Sequence, residues 1–140
     1  MILVIRISGQ VDLSHKVNET LHRLNIRRKY SATFLKESIE TNKLLNKIRN
    51  FVAYGPIDKK TLKELLEKRS QPLDKTKKLD IAKILEQIET SKMRDLNLKP
   101  FFRLHPPIGG IDSKKHVGTS SKAVLGDNKE KINDLVRRML

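Results

Sequence analysis

The sequence predicts an α+β fold, because strand-like and helix-like patterns follow one another twice in the first 55 residues. Residues 2–8, ILVIRIS, are an almost unbroken apolar and β-branched run. Such a run is typical of a strand with a neighbour on each side and cover on at least one face. We therefore place it at the centre of a β-α-β-α-β core that closes at Gly55.

The first helix and the second strand follow from the spacing of apolar residues. Intervals of four, four and three residues produce one apolar helical stripe, formed by Leu13, Val17, Leu21 and Leu24. Asp12 or Ser14 would cap this helix. Tyr30, Ala32 and Phe34 alternate with more polar residues and predict the second strand.

A second helix and a third strand complete this part of the core. The helix is expected to begin at about Thr41. Its apolar residues are Leu44, Leu45, Ile48 and Val52. Residues 51–55, FVAYG, read as the third strand, which Gly55 and Pro56 end. Residues 1–55 thus supply one part of an α+β core.

Residues 56–98 have a different character and predict a small helical insertion. Two amphipathic helices are indicated, one with Leu62, Leu65 and Leu66 and one with Ile81, Ile84, Leu85 and Ile88. A polar link over residues 70–78 joins them. The chain then returns to the core, which it completes with residues 99–140.

Residues 99–140 predict a fourth strand followed by a basic loop. Phe102 and Leu104 alternate with Arg103 and His105, so one face of this strand is apolar and the other is basic. Prolines and glycines then stop the strand. Residues 106–126 contain too few large apolar residues for a core of their own, so we expect a loop that an anionic partner orders.

A final helix is expected after this loop. Its apolar residues are Ile132, Leu135, Val136 and Met139. Asp127 or Asn128 would cap its N-terminus, and Arg137 and Arg138 suit the negative end of its dipole.

The charge of the chain indicates its partner. There are 30 Lys and Arg against 16 Asp and Glu, a formal net charge of +14. Such an excess destabilises a compact state unless counter-charge is present. No window approaches the roughly 18 apolar residues of a membrane span, and residues 1–7 lack the features of a signal peptide. We therefore expect a nucleic acid as partner and, with no Cys, an intracellular location.

No pattern in the sequence indicates catalysis or metal binding. His15 and His22 lie seven residues apart, which is too far for a metal-binding pair on one helix. Residues 109–122 lack the Gly-Lys-Ser/Thr ending of a phosphate-binding loop, and Ser120 with His116 does not make a triad. We expect no enzymatic activity, no cofactor and no metal; an enzyme acting on RNA is the weakest of the alternatives.

Basic clusters at strand ends are the candidate binding sites. Arg27, Arg28 and Lys29 precede the second strand, and the lysines of the basic loop have only Asp112 as an acidic neighbour. No pair of aromatic residues lies on one exposed strand face, so contacts to phosphates and to RNA shape are expected in place of base stacking. The alternative is a protein-interaction adaptor that uses grooves of the helical insertion.

Several motifs resemble those of a known family. They are FFRLHPPIGG at 101–110, KKH at 114–116, the Leu125-Gly126 step, INDLVRRM at 132–139, VIRISGQVDLSHKVNETLHRLNI at 4–26 and IRNFVAYGPIDKKTLKELLEKR at 48–69. In this order they resemble the archaeal and eukaryotic members of the large-subunit ribosomal protein thirty family, whose eukaryotic relatives are numbered seven. The resemblance covers essentially the whole chain.

The resemblance implies a fold and a function. It implies a β-α-β-α-β core with an antiparallel sheet in the order 3-1-2, similar to a ferredoxin fold, with an archaeal-type helical insertion and a basic C-terminal extension. It also implies a non-enzymatic structural component of the large ribosomal subunit in the cytoplasm. Such a component binds the large ribosomal RNA near 5S rRNA and contacts neighbouring ribosomal proteins. Ile108 departs from the family pattern, in which a basic residue is expected.

The clusters and the resemblance together define the predicted RNA-binding residues. These are Arg27, Arg28, Lys29, Arg103, His105, Pro106, Pro107, Lys114, Lys115, His116 and Lys122.

Overall fold

The computed structural model describes residues 1–74, 79–88, 91 and 93–140. The strands in these residues are β1 (Ile2–Arg6), β2 (Ser31–Leu35), β3 (Val52–Pro56), β4 (Phe102–Arg103), β5 (Asp112–His116) and β6 (Ala123–Asp127). The helices are α1 (His15–Arg23), α2 (Ile39–Ile48), α3 (Lys59–Arg69), α4 (Ile81–Gln87) and α5 (Lys131–Arg137). The predicted α+β class is therefore confirmed. The polar link predicted over residues 70–78 falls in part on residues 75–78, which lie outside the described residues.

The six strands form one mixed sheet in the order β4-β2-β1-β3-β6-β5. Strand β1 pairs antiparallel with β2 and β3, so that Val4 lies opposite Thr33 on one side and Tyr54 on the other. Strand β4 is antiparallel to β2, whereas β6 is parallel to both β3 and β5. The whole sheet thus differs from an antiparallel sheet in the order 3-1-2, because the C-terminal region adds strands at both edges.

Strand β1 is covered on both faces, which explains why its sequence is apolar without alternation. On one face, Leu3, Ile5 and Ile7 belong to a core cluster with buried residues of α3, α4 and α5. On the other face, Ile2 and Val4 pack with buried residues of α1 and α2. Each such side chain contributes roughly 1.5–3 kcal/mol by leaving water, so this strand anchors both layers of helices.

Helices α3 and α4 of the predicted insertion pack on the sheet. Their buried residues in the cluster around Leu3 are Leu62, Leu65, Leu66 and Ile84. Asn133 of α5 fixes the start of α3, because its side-chain oxygen accepts a hydrogen bond of 2.9 Å from the Asp58 N–H. The insertion and the C-terminal helix therefore share one core with the sheet.

The prediction of a loop throughout residues 106–126 is wrong, since β5 and most of β6 lie there. Strand β6 forms because Val124 and Leu125 are buried and Gly126 pairs with Ala53 of β3. Strand β5 is an edge strand of sequence DSKKH, and its residues are exposed or half-buried. Charged residues are common on sheet edges because they discourage pairing with other chains. No apolar alternation marks such a strand in a sequence.

The predicted caps of the last helix are also wrong. Asp127 ends β6, and Asn128 is buried, with its side-chain amide donating to the carbonyls of Val124 (2.7 Å) and Gly126 (3.1 Å). Glu130 occupies the N-cap position of α5 and makes no side-chain capping bond. The two polar residues thus stabilise the turn before the helix.

The first helix starts as predicted, with Ser14 at its N-cap position, whereas the second starts earlier than predicted. Ser14 occupies the N-cap position of α1, without a side-chain capping bond, and Asp12 lies before it with φ of 58°. Helix α2 begins at Ile39, two residues before Thr41, because the Ser38 hydroxyl accepts a hydrogen bond of 3.1 Å from the Thr41 N–H.

Gly55 allows α5 to lie against β3. A Cβ atom at this position would lie 2.5 Å from the Lys129 carbonyl oxygen and 3.1 Å from Ile132 Cγ2. We expect Gly55→Ala to lower the free energy of unfolding by about 1–3 kcal/mol, the usual cost of overpacking, as measured by urea denaturation. Gly9→Ala is the matched control, since no atom lies within 4 Å of the position that its Cβ would occupy. Equal effects of the two substitutions would contradict this account.

Candidate nucleic-acid interface

The strand directions bring several loops together at one end of the sheet. Strands β1 and β4 end there, whereas β2, β3, β5 and β6 begin there. The segments at this end include residues 7–10, residues 27–30 and the start of the connection from β4 to β5. We call it the loop end.

A basic recess of about 360 Å³ lies at the loop end, beside β2 and β4. It is lined by His22, Asn25, Arg27, Arg28, Ser31, Phe101 and Arg103. We call this concave surface the basic recess. None of these lining residues is acidic. In the part of the chain that the structure describes, none of its three arginines forms an ion pair. The recess can therefore receive an anion without displacing a carboxylate.

The turn before β2 presents Arg27 and Arg28 to the recess. The Ser31 N–H donates to the Arg28 carbonyl at 3.2 Å, and the Tyr30 N–H donates to the Arg6 carbonyl at 2.7 Å. Tyr30 adopts a left-handed backbone conformation, with φ of 61°. The Lys29 ammonium lies 4.8 Å from the centre of the Tyr30 ring, a cation–π contact. All three basic residues of the predicted cluster thus remain exposed on an ordered turn.

Arg103 reaches the same recess from β4. It pairs with Ser31 across the two strands. The alternation predicted for β4 is confirmed, because Phe102 is buried at 1% exposure while Arg103 is exposed. The Arg103 guanidinium lies 5.4 Å from the centre of the Phe101 ring, which restricts the motion of the guanidinium. Residues from two distant parts of the sequence are thereby brought together.

Arg6 lies behind the turn that carries Arg27. It is fully buried, and its guanidinium donates to four main-chain carbonyls. The acceptors and distances are Ser8 at 3.0 Å, Ile26 at 3.2 Å, Arg27 at 2.6 Å and Gly9 at 2.6 Å. Burial lowers the pKa of Arg6 below its usual value. The same Arg27 carbonyl also accepts a hydrogen bond of 2.9 Å from the Gln10 side chain.

The segment after β4 follows the C-terminal end of α5. The His105 N–H donates to the Met139 carbonyl at 2.9 Å, and Pro107 is buried, whereas His105 and Pro106 are exposed. The Arg138 side chain donates to the Ile108 carbonyl at 2.8 Å. The two prolines that were predicted to bind RNA therefore differ in accessibility, because Pro106 is exposed and Pro107 is buried.

The remaining predicted residues lie at the opposite edge of the sheet. Lys114, Lys115 and His116 belong to β5, and Lys122 precedes β6, with its ammonium donating to the Gly109 carbonyl at 3.3 Å. The Lys115 ammonium lies 3.9 Å from a carboxylate oxygen of Asp112. Five strand spacings separate β4 from β5, which is roughly 24 Å at the usual spacing. The structure thus places the predicted residues in two basic clusters.

The described residues also bear on metal binding and membrane insertion. Within residues 1–74, 79–88, 91 and 93–140, no group of three or more His, Cys, Asp or Glu side chains is arranged to hold a metal ion. In the same ranges, no helix has the length and apolar character needed to cross a membrane.

Sequence reasoning did not find several residues of the basic recess. His22 and Asn25 lie at the end of α1, Ser31 begins β2, and Phe101 precedes β4. Their convergence depends on the pairing of β2 with β4, which no local pattern indicates. The sequence does contain one indication of this region, which is Arg6 behind the turn. It is a single charged residue in an otherwise apolar strand.

The fold and this surface define a class: a small, basic α+β protein with an exposed, acid-free cluster of arginines at one end of its sheet. The family model described as ribosomal protein L30p/L7e matches residues 2–52. The chain is 33% identical to the large ribosomal subunit protein uL30 of Nanoarchaeum equitans, and the alignment covers 98% of this chain and 97% of that relative. The uL30 proteins of Methanococcus vannielii and Aeropyrum pernix are 32% and 29% identical over the same shares of the chains.

The chain belongs to the ribosomal protein L30p/L7e family. The resemblance to its archaeal members is thereby confirmed. Members of this family are structural ribosomal proteins and not enzymes, so the prediction of no enzymatic activity is confirmed as well.

Proposed function

We propose that this structural ribosomal protein is a constituent of the large ribosomal subunit and binds its large ribosomal RNA through the two basic clusters. The observation that supports this most directly is the basic recess, where Arg27, Arg28 and Arg103 converge without an acidic neighbour among the lining residues. Guanidinium groups form paired, charge-assisted hydrogen bonds with phosphate oxygens. Three of them around one concave surface favour the phosphate backbone of a folded RNA.

The second cluster extends this surface along β5. Lys114 and Lys115 are exposed on an edge strand, His116 is its last residue, and Lys122 precedes the neighbouring strand β6. Two clusters roughly 24 Å apart, by the usual strand spacing, suit two segments of a folded RNA. His105, Pro106 and Pro107 lie on the connection between them. In this proposal the protein fixes the relative position of those RNA segments and does no chemistry on them.

The same proposal includes the surroundings of the protein in the subunit. We place it near 5S rRNA and beside other ribosomal proteins, as the family resemblance implies. We also describe residues 1–55 and 99–140 as the RNA-binding core and residues 56–98 as an insertion that packs on it.

A second candidate function is a protein-interaction adaptor that uses the insertion. A recess of about 500 Å³ lies between α3 and α4, with Leu62 and Leu85 in its lining and Lys59, Lys60, Lys63 and Glu86 around them. An apolar floor whose rim has three lysines and one acid fits an acidic, amphipathic segment of a neighbouring protein. A partner that remains bound after nuclease digestion would favour this candidate over RNA binding.

Sedimentation of a native lysate tests the main proposal. The protein should migrate with the large ribosomal subunit at moderate salt, and brief nuclease treatment that degrades the subunit should shift it to lighter fractions. A position at the top of the gradient, unaffected by nuclease, would contradict membership of the subunit.

The charge-reversal variant Arg27→Glu with Lys115→Glu tests the two clusters together. We expect it to bind large-subunit ribosomal RNA about 30-fold more weakly, because it loses two charge-assisted contacts of which one is already shared with Asp112. Both side chains are exposed, so circular dichroism should show an unchanged fold. Unchanged RNA affinity of the folded variant in a filter-binding assay would remove both clusters from the site.

A further inference from the structure

Arg6 places a full positive charge inside the protein. Its side chain is 0% exposed, and no carboxylate within the described residues pairs with it. Arginine remains protonated in proteins even when burial lowers its pKa. A buried charge is costly to the folded state unless it is hydrogen-bonded, and here four main-chain carbonyls accept bonds from the guanidinium. The position of Arg6 in the core therefore depends on the loops that supply these carbonyls.

The hydrogen bonds of Arg6 connect two loops at the loop end. Its Nε and one terminal nitrogen bind the carbonyls of Ser8 and Gly9, after β1. Its other terminal nitrogen binds the carbonyls of Ile26 and Arg27, before β2. The planar guanidinium thus fixes the backbone from which the Arg27 and Arg28 side chains project.

We infer that the basic recess is a preformed site for a phosphate group of the RNA backbone and that Arg6 is its positioning residue. This inference rests on the proposed function and deepens it. Arg27, Arg28 and Arg103 contact the phosphate, whereas Arg6 holds the turn that carries two of them. Its unneutralised charge also adds to the positive potential at the recess, because it lies in a region of low polarizability.

A preformed recess affects affinity through the cost of ordering. An exposed arginine on a mobile loop loses conformational freedom when it binds a phosphate, which reduces the affinity. Here Arg6 and Gln10 both bind the Arg27 carbonyl before any RNA arrives. The Arg103 guanidinium is held against Phe101. The main chain of the turn and the Arg103 side chain therefore incur less of this cost on binding.

The salt dependence of binding distinguishes positioning from contact. The full-length protein and its variants are titrated with deproteinised large-subunit ribosomal RNA at several KCl concentrations. Arg27→Ala should make the negative slope of log K against log salt shallower by about 0.7–0.9, since it removes one phosphate contact. Arg6→Lys keeps the charge but loses the planar fork, so it should weaken binding roughly tenfold, the effect of about one charge-assisted hydrogen bond, without changing the slope.

Gln10→Ala is the second variant, because its side chain is exposed and its loss should leave the fold intact. It should weaken binding by a few-fold, again with an unchanged slope, on the scale of one neutral hydrogen bond. Thermal melts establish that each variant is folded. If Arg6→Lys fails to fold, Gln10→Ala still decides the matter, because it removes the other side-chain bond to the Arg27 carbonyl.

Three outcomes would contradict the inference or the proposed RNA-binding function on which it rests. Unchanged affinity of both folded Arg6→Lys and Gln10→Ala would show that the turn needs no positioning. A slope that becomes as shallow in Arg6→Lys as in Arg27→Ala would make Arg6 a direct phosphate contact. If Arg27→Ala binds RNA as tightly as the unaltered protein, the proposed RNA site itself is refuted, together with the role of Arg6.

Discussion

Replacing Arg27, Arg28 and Arg103 together with Ala should weaken binding to large-subunit ribosomal RNA about 10³-fold, since each lost charge-assisted hydrogen bond costs roughly 1.5 kcal/mol. The negative slope of log K against log salt should become shallower by about 2–3, in proportion to the three lost contacts. The three side chains are exposed and line one recess, so their removal leaves the core intact. Filter binding over a range of KCl concentrations measures both quantities.

The matched control removes the same charge elsewhere. Lys59, Lys60 and Lys63 lie in the first turns of α3, and this helix begins at the end of the sheet opposite the loop end. Their joint replacement by Ala should weaken RNA binding less than about tenfold, through the general field of the protein. Equal losses in the two triple variants would mean that net charge, and not the recess, determines binding.

Phe102→Ala should lower the free energy of unfolding by about 3–5 kcal/mol, the usual cost of truncating a buried Phe. The side chain is 1% exposed, and its ring meets that of Phe34 edge to face, with centres 5.2 Å apart. Strand β4 has only two residues paired with β2, so this side chain anchors it. Urea denaturation of the variant measures the loss.

Phe102→Leu is the control for this prediction. It retains most of the buried volume, so the free energy of unfolding should fall by less than about 1.5 kcal/mol. RNA affinity should fall in Phe102→Ala even where the variant is folded, because Arg103 is the next residue and depends on β4 for its position. A folded Phe102→Ala variant with full RNA affinity would show that the recess does not need this strand.

The parts of the fold that the sequence predicts are those with strong local patterns. Residues 2–5 are apolar on both faces of a strand, and the structure buries both faces between two layers of helices. The paired leucines of α3 indicate a helix with one buried side, which the structure also has. In each case the spacing of apolar residues along the segment shows which side chains are buried, because the element packs against the core along its whole length.

The parts that the sequence does not predict depend on distant pairing. Strand β5 has the composition of a solvated loop, and it is a strand because β6 lies beside it. Asn128 resembles a helix cap, but it is buried directly after β6, and its amide donates to two carbonyls of that strand. The basic clusters were indicated by charge alone, whereas the recess required the register of Ser31 with Arg103. Their role in RNA binding stays a prediction.

The parallel pairing of β3 with β6 has a consequence for how the protein folds. Ala53 pairs with Gly126 only after the intervening residues have been brought back to the sheet, and such non-local contacts form slowly. Strands β1, β2 and β3 with α1 and α2 are local in sequence and can assemble earlier. During synthesis, the face that carries Leu3 and Ile5 is therefore covered in part by α3 and α4 before α5 completes the cover. A newly made chain is at its most prone to aggregation in that interval.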